Sequence, residues 1–327
     1  MICLGIESTA HTFGAAIVTD KGEVLSNAKV LFRTEEGGMV PNAVADFLVQ
    51  NCDSVIKDAL GQAKVSIKDV GLISYSAAPG MGHCLRIGAM AARSLAVLLK
   101  KPIIGVNHCI AHLEIGKLKT AAKDPVLLYA SGANTQIIAY DGGKYRIFGE
   151  TLDMGVGNFI DAFARELGLG FPGGPMIEKL ALQGKNYIEL PYVVKGMDVS
   201  FGGILTNLKQ KIASGQFSKE DLCYSVQETI FAMLLEVSER AMAHCEKNEL
   251  LLGGGVACNT RLQHMAQKMC EERGAKSFCP ERQFLVDNAA MIAWLGLLQH
   301  KAGAKLKIEN ATINPYERTD DVKVNWR

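Results

Sequence analysis

The chain reads as an α/β fold in two lobes around a cleft, and three observations carry that reading. A strand–polar turn–strand–turn–strand unit stands at residues 2–32 and returns in outline at residues 126–150, which implies an internal duplication. After each copy, short buried strands alternate with stretches whose apolar residues recur at helical spacing. At 327 residues the chain exceeds what one ordinary core organises. Two copies facing each other would set their polar turns on opposite walls of one cleft.

In the first copy Ile2–Ile6 and Phe13–Thr19 are apolar strands, joined by the polar turn Glu7-Ser8-Thr9-Ala10-His11-Thr12. Such a turn can cradle a phosphate, and Glu7 in it is either a catalytic carboxylate or an ordinary hairpin polar group. A third strand, Val24–Phe32, follows Asp20-Lys21-Gly22-Glu23. Residues 33–42, with Gly37-Gly38 and Pro41, make a loop, and Val44, Phe47, Leu48, Val55, Ile56 and Leu60 place a helix over Asn42–Gln62. Val70–Ser76 is a buried strand. It ends in a glycine turn before a helix rich in small residues, Leu85–Leu99, whose small face allows close packing. Ile103–Val106 is another strand end, and it opens onto Asn107-His108-Cys109-Ile110-Ala111-His112.

Lys117–Lys123 is a polar link, so the lobes are expected at 1–118 and 119–303, with a tail of about 304–327 packing back on the first. The second copy has strands at Val126–Tyr129, Thr135–Tyr140 and Lys144–Glu150, with a polar turn over Ser131–Asn134. A helix over Asn158–Leu167 carries Asp161 and stops before Phe171-Pro172-Gly173-Gly174-Pro175, and Glu178 opens the next. Residues 186–206 look irregular and strand-like. A long amphipathic helix spans Leu222–Glu246, and the strand Leu250–Leu252 runs into Gly253-Gly254-Gly255. Asn259–Arg273 is a helix, Ser277–Cys279 a strand, and Asp287–Ala302 a helix with Asp287-Asn288 at its start. The polar segment Thr312–Arg327 must dock or fray.

Charge is nearly balanced, 35 basic against 34 acidic residues, so no overall basic field attracts a nucleic acid. Such a substrate would need a local patch or a partner subunit. Nine cysteines stand singly with no CxxC, against a disulfide framework or zinc ribbon and for a reducing cytosol. The chain enters its first strand without a signal-peptide pattern, and no apolar run approaches the ~18 residues of a membrane span. The expectation is a cytoplasmic protein with no membrane partner.

His108 and His112 stand four apart, so on a helix both rings share one face and can reach one ion. Alone, the pair reads equally as capping or core histidines. The glycine-rich turns Ser131-Gly132-Ala133-Asn134-Thr135 and Gly253–Asn259 allow close backbone approach to a phosphate. A metal face with two such turns suggests metal-assisted chemistry on a nucleotide. Asp287 could cap its helix, ligate, or both, and Tyr129 at a strand end could be plain core.

Five motifs then stand in register. They are His108-Cys109-Ile110-Ala111-His112, Tyr129–Thr135, Phe171–Pro175, Gly254–Asn259 and Asp287-Asn288. Together they resemble the tRNA threonylcarbamoyladenosine transferase family in its archaeal and eukaryotic form, the catalytic subunit of the KEOPS complex. The resemblance spans essentially the whole chain. It implies a duplicated ribonuclease-H-like fold of the actin–Hsp70–sugar-kinase superfamily. It also implies transfer of a threonylcarbamoyl group from its AMP anhydride to N6 of adenosine 37 in tRNAs reading ANN codons. By the same resemblance, one divalent transition metal, iron or zinc, sits on His108, His112, Tyr129 and Asp287. An ATP- or AMP-type nucleotide would lie with phosphate near Ser131, Gly132, Ala133 and Asn134, ribose near Asp161, Glu178 and Gly174, and adenine near Asn259. The chemistry is coherent, since carboxylates suit ribose hydroxyls and an amide suits an adenine edge. Implied partners are tRNA and the other KEOPS-type subunits. Among these is a small atypical protein kinase to which some archaeal relatives are fused.

Three departures from the family touch loops rather than metal ligands: Ala133 for a second glycine, Phe201-Gly202-Gly203 for Phe-Ser-Gly, and no histidine just after Pro41–Asp46. Other classes fit less well. A HExxH protease needs a glutamate where Cys109 stands. A sugar or acetate kinase of the same fold has no need of the paired histidines, and a non-catalytic ATP-binding scaffold would leave them idle.

Overall fold

The computed structural model describes residues 1–33 and 40–327; most of the loop expected over 33–42 lies outside them. The chain forms two compact units. The first comprises Met1–Lys119, Gly143–Tyr145 and Asp287–Arg327, and the second Thr120–Gly142 and Arg146–Val286.

The first sheet contains β1 (Ile2–Glu7), β2 (Thr12–Thr19), β3 (Val24–Leu31), β4 (Leu72–Ala78) and β5 (Ile103–Asn107), in the order β3-β2-β1-β4-β5. β2 is antiparallel to β1 and β3, while β1, β4 and β5 run parallel. Side chains of a strand alternate between faces, and here the alternation divides labour. Leu4 and Ile6 enter the core with Val44 and Leu48 of α1 (Pro41–Ala63) and Ala89, Ala92 and Ala96 of α2 (Gly82–Leu99). Gly5 instead meets α10 (Ala289–Lys301), where an added Cβ would come within 2.3 Å of the Ala289 carbonyl oxygen. Glu7 turns toward α3 (His108–Lys119). Helix α10 therefore belongs to the first unit rather than to the second lobe assigned from sequence. Ser74 of β4 donates to its Ile292 carbonyl at 2.8 Å, and Gly296 leaves room for that approach.

Among the described residues one helix, α2, is long and apolar enough to cross a membrane by length and composition, where the sequence reading found no such run. Its small residues are buried as it packs against β4 and α1. The segment after α10 docks in the same unit. Asn314 N–H donates to Ala77 O, and Tyr75 Oη donates to Thr312 O at 2.7 Å.

The second sheet holds β6 (Val126–Ala130), β7 (Thr135–Asp141), β8 (Lys144–Glu150), β11 (Glu249–Gly253) and β12 (Lys276–Phe278), in the order β12-β11-β6-β7-β8. Renumbered within its own repeat this is again 3-2-1-4-5, so the duplication extends from the hairpins to whole sheets. Around it lie α4 (Val156–Glu166), α5 (Gly174–Ala181), α6 (Gly202–Ser214), α7 (Lys219–His244), α8 (Thr260–Glu272) and the short α9 (Arg282–Leu285). Phe159, Phe163, Phe201 and Phe231 are wholly buried in their core.

Three expectations change here. Glu178 lies inside α5, which begins at Gly174. Residues 186–206 hold only the two-residue strands β9 (Val194–Lys195) and β10 (Asp198–Val199), and they run into the unforeseen α6. Asp153 caps that helix from 49 residues away, accepting from Phe201 N–H and Gly202 N–H at 3.0 and 2.7 Å. The four-residue α9 was also missed.

Candidate functional site

In the first unit β5 passes directly into α3 at Asn107, whose Oδ1 accepts from Cys109 N–H at 3.0 Å and Ile110 N–H at 3.3 Å. That cap starts the helix at His108, so His112 follows one turn later on the same face. The two rings are 4.8 Å apart, edge to face. Asp287 joins them from just before α10. The N-cap of α10 is Asn288, whose Oδ1 accepts from Met291 N–H at 3.0 Å. Asp287 is thus not the cap, and its carboxylate is turned to the histidines. Its Oδ1 lies 3.3 Å from His108 Nε2 and 3.6 Å from His112 Nε2. Lys29 Nζ donates to the Asp287 carbonyl at 2.9 Å, holding the backbone there.

Glu7, wholly buried at the end of β1, stands behind His108. Its Oε1 accepts from Thr9 N–H at 2.7 Å and from Thr9 Oγ1 at 2.5 Å, while Oε2 is 2.9 Å from His108 Nδ1. A carboxylate only accepts, so Nδ1 carries the proton and the Nε2 lone pair faces Asp287. Thr9 is a site residue that the sequence offered only as part of a polar turn.

Burial pushes the His112 pKa below that of an ordinary imidazole, against the opposite pull of Asp287. For Asp287, burial would raise the pKa, but the attraction of the His108 and His112 rings beside it outweighs this and holds the carboxyl well below its usual range. A neutral imidazole and an ionised carboxylate are the ligating forms. Burial also pushes the Cys109 thiol up to about 11, so the cysteine between the histidines is no thiolate. One donor atom from each of His108, His112 and Asp287 lies within 4.8 Å of the other two. Two imidazole nitrogens and one carboxylate oxygen fit a divalent transition ion such as iron or zinc.

The remaining expected residues lie in the second unit. Tyr129 is buried on β6. The turn after it closes on itself, with Ser131 N–H donating to Asn134 O at 2.8 Å and Asn134 N–H to Ser131 Oγ at 3.2 Å. It is tied to the start of α4, where Gly157 and Asn158 N–H donate to Ser131 O and Gly132 O. Asp161, further along α4, accepts from Gly173 N–H at 2.8 Å. A Cβ on Gly173 would come 2.4 Å from that of Ala164, whereas one on Gly174 would meet nothing within 4 Å. Gly173 is thus required by packing, and Gly174 faces open space.

Glu178 accepts from Thr260 N–H and Thr260 Oγ1 at 2.8 and 2.7 Å. The adjoining Asn259 caps α8 with its Oδ1 and donates through Nδ2 to Gln227 Oε1 at 2.6 Å. Gln227, a polar residue on the buried side of a long helix, gave no signal in the sequence. Gly254 has φ +88°, and a Cβ there would strike the Ala130 carbonyl at 2.3 Å. That glycine serves the close approach of two turns, at a backbone angle that disfavours a side chain.

The repeated 3-2-1-4-5 sheets define a protein of the actin–Hsp70–sugar-kinase fold. The solved activator of the 2-hydroxyisocaproyl-CoA dehydratase from Clostridium difficile, with bound ADPNP, shares it. The TM-score is 0.55 at 10% identity, covering 94% of this chain and 99% of that one. The model of the family described as TsaD, tRNA N6-adenosine threonylcarbamoyltransferase, matches residues 23–294. A tRNA N6-adenosine threonylcarbamoyltransferase from Thermococcus kodakarensis is 54% identical over 326 residues, covering the whole of both chains. The chain belongs to the tRNA N6-adenosine threonylcarbamoyltransferase family, and its activity is transfer of the threonylcarbamoyl group to N6 of adenosine in tRNA. A probable bifunctional tRNA threonylcarbamoyladenosine biosynthesis protein from Methanocaldococcus jannaschii is 51% identical; this chain matches in full but spans 60% of that relative.

Proposed function

We propose that the chain takes the threonylcarbamoyl group from threonylcarbamoyl-AMP and passes it to adenosine 37 of tRNAs reading ANN codons, with iron or zinc held by His108, His112 and Asp287. The observation that carries this reading is the convergence of both Nε2 atoms on one carboxylate oxygen. A bound ion there supplies Lewis acidity. The rest falls to the chain's own groups. Glu7 holds the His108 tautomer, and Thr9 holds Glu7.

In the second unit, Asp161 and Glu178 are assigned to the ribose hydroxyls and Asn259 to the adenine edge. Gly174 gives the close approach, and the turn Ser131–Asn134 takes the phosphate through the backbone amides of Gly132 and Ala133 at its tip. The dehydratase activator of the same fold has ADPNP bound, which supports an adenine nucleotide here.

The balance of 35 basic and 34 acidic residues leaves little attraction for tRNA, so further KEOPS-type subunits, a small kinase among them, complete the activity. The longer bifunctional relatives support a second protein function working beside this one. Val49 of α1 and Met90, Val97 and Leu98 of α2 are exposed apolar groups that support docking on the helices of the N-terminal half. Nine free cysteines support a cytoplasmic site of action.

The test is incorporation of radiolabelled threonine into tRNA, with an activated-threonine synthase supplied, with and without the partner subunits. Full activity is expected only with partners and wild-type histidines. Efficient modification by this chain alone removes the partner half of the reading, and incorporation unmoved by His112→Ala removes the metal half.

A further inference from the structure

The segment that follows α10 lies along the histidine helix, touching its capping residue Asn107 once and the helix itself twice. Glu317 Oε2 accepts from Asn107 Nδ2 at 3.1 Å. Thr319, buried, bonds the Cys109 side chain. Trp326 Nε1 donates to Glu114 Oε1 at 3.0 Å, and Glu114 also accepts from Tyr145 Oη. Upstream contacts fasten the same segment to β4 and the loop after it, through Thr312 O to Tyr75, Asn314 N–H to Ala77, and Pro315 O to Gly80 N–H.

Asn107 is the link between this strap and the site. Its amide has one acceptor and one donor end, and both are committed. The oxygen caps α3 through Cys109 and Ile110 N–H, while the NH₂ is given to Glu317. Turning the amide over would face the helix with donors and Glu317 with an oxygen, losing both contacts. Glu317 therefore fixes which end of the amide meets the helix, and His108 is the residue immediately after the cap.

We propose that Glu317 is a positioning residue for the metal pair, acting through Asn107 to hold His108 where a His–His–Asp site needs it. The inference rests on the metal reading given above. Orienting groups one step behind a ligand commonly carry about 10–100-fold in metal affinity. The experiment is zinc affinity of the full chain by competition with a chromogenic chelator, together with the thermal melt of the metal-free protein.

Glu317→Ala is expected to weaken zinc about tenfold with the metal-free melt unchanged. Glu317→Gln keeps an acceptor for Asn107 and should stay within about twofold of wild type. Asn107→Asp sets two carboxylates against each other and should weaken zinc by about tenfold or more. The pair Asn107→Asp with Glu317→Gln exchanges donor and acceptor, conserves charge, and should restore affinity to within about threefold. An affinity unmoved in Glu317→Ala, or a double variant no better than Asn107→Asp, overturns the proposal. If Asn107→Asp does not fold, the two Glu317 variants decide. Wild-type zinc binding that vanishes in His108→Ala but ignores Glu317→Ala sinks this inference alone, whereas no zinc binding by wild type sinks the metal reading as well.

Discussion

Glu7 Oε2 lies 2.9 Å from Nδ1 of His108, 101 residues further along the chain. Glu7 is wholly buried, and Thr9 holds its other oxygen. A carboxylate in that place settles the tautomer of the histidine and the orientation of its ring. Glu7→Gln should weaken zinc about tenfold, and Glu7→Ala nearer a hundredfold, by chelator competition. Equal affinity in Glu7→Ala would mean that the carboxylate serves only the fold.

Asp287 and Asn288 are neighbours with separate duties, and that separation can be measured. Asp287→Ala removes a metal donor but not the cap of α10, so the metal-free melt should barely move while bound metal is lost on elemental analysis. Asn288→Ala should do the reverse, costing about 1 kcal/mol in urea unfolding while leaving metal stoichiometry intact. Matching effects of the two substitutions would refute the division.

The adjacent glycines 173 and 174 make a second contrast. Gly173→Ala drives a methyl into Ala164 and should destabilise by about 1–3 kcal/mol. Gly174→Ala meets open space, so stability should hold while adenine-nucleotide affinity falls on calorimetry. Undiminished nucleotide binding by Gly174→Ala would remove that glycine from the site.

Asp153 gives a pH dependence. Burial opposes ionisation, but bonds from Ser200 and from the backbone of Phe201, Gly202 and Met154 bring its pKa from 3.8 down to about 2. The folded pKa is the lower one, so this stabilisation is complete above the ordinary value and is lost as pH falls from 3.8 toward 2. Urea midpoints of wild type and Asp153→Asn should differ at pH 6 and converge as acid is added. A gap that widens in acid would contradict the assignment.

What the sequence disclosed follows from what is local. Strands such as Val126–Ala130 and helices such as α1 carry their own apolar period, and His108 and His112 declare a shared face by spacing alone. The role of Glu7 stayed open because its partner is remote in the chain. Helix α6 was hidden because it begins on Gly202-Gly203, poor helix formers, and takes its cap from distant Asp153. Helix α10 gave no clue to its unit because it is apolar all round; Gly5 and Ser74, on other elements, decide where it packs. Gln227 and Thr9 matter only through the side chains they meet.

The second unit is written into the middle of the first, which the chain leaves after Lys119 and rejoins for good at Asp287. On the ribosome this sets an order of events. Both histidines emerge early, and their carboxylate partner follows only after the whole inserted unit has been made. At common elongation rates that interval is on the order of ten seconds. Throughout it, a nascent chain carries a histidine pair that lacks Asp287, Asn288 and the strap. Loading of the proposed metal would thereby be deferred until translation has passed residue 287, and a chain stalled in the second unit would leave the ribosome with the histidine pair but not its carboxylate.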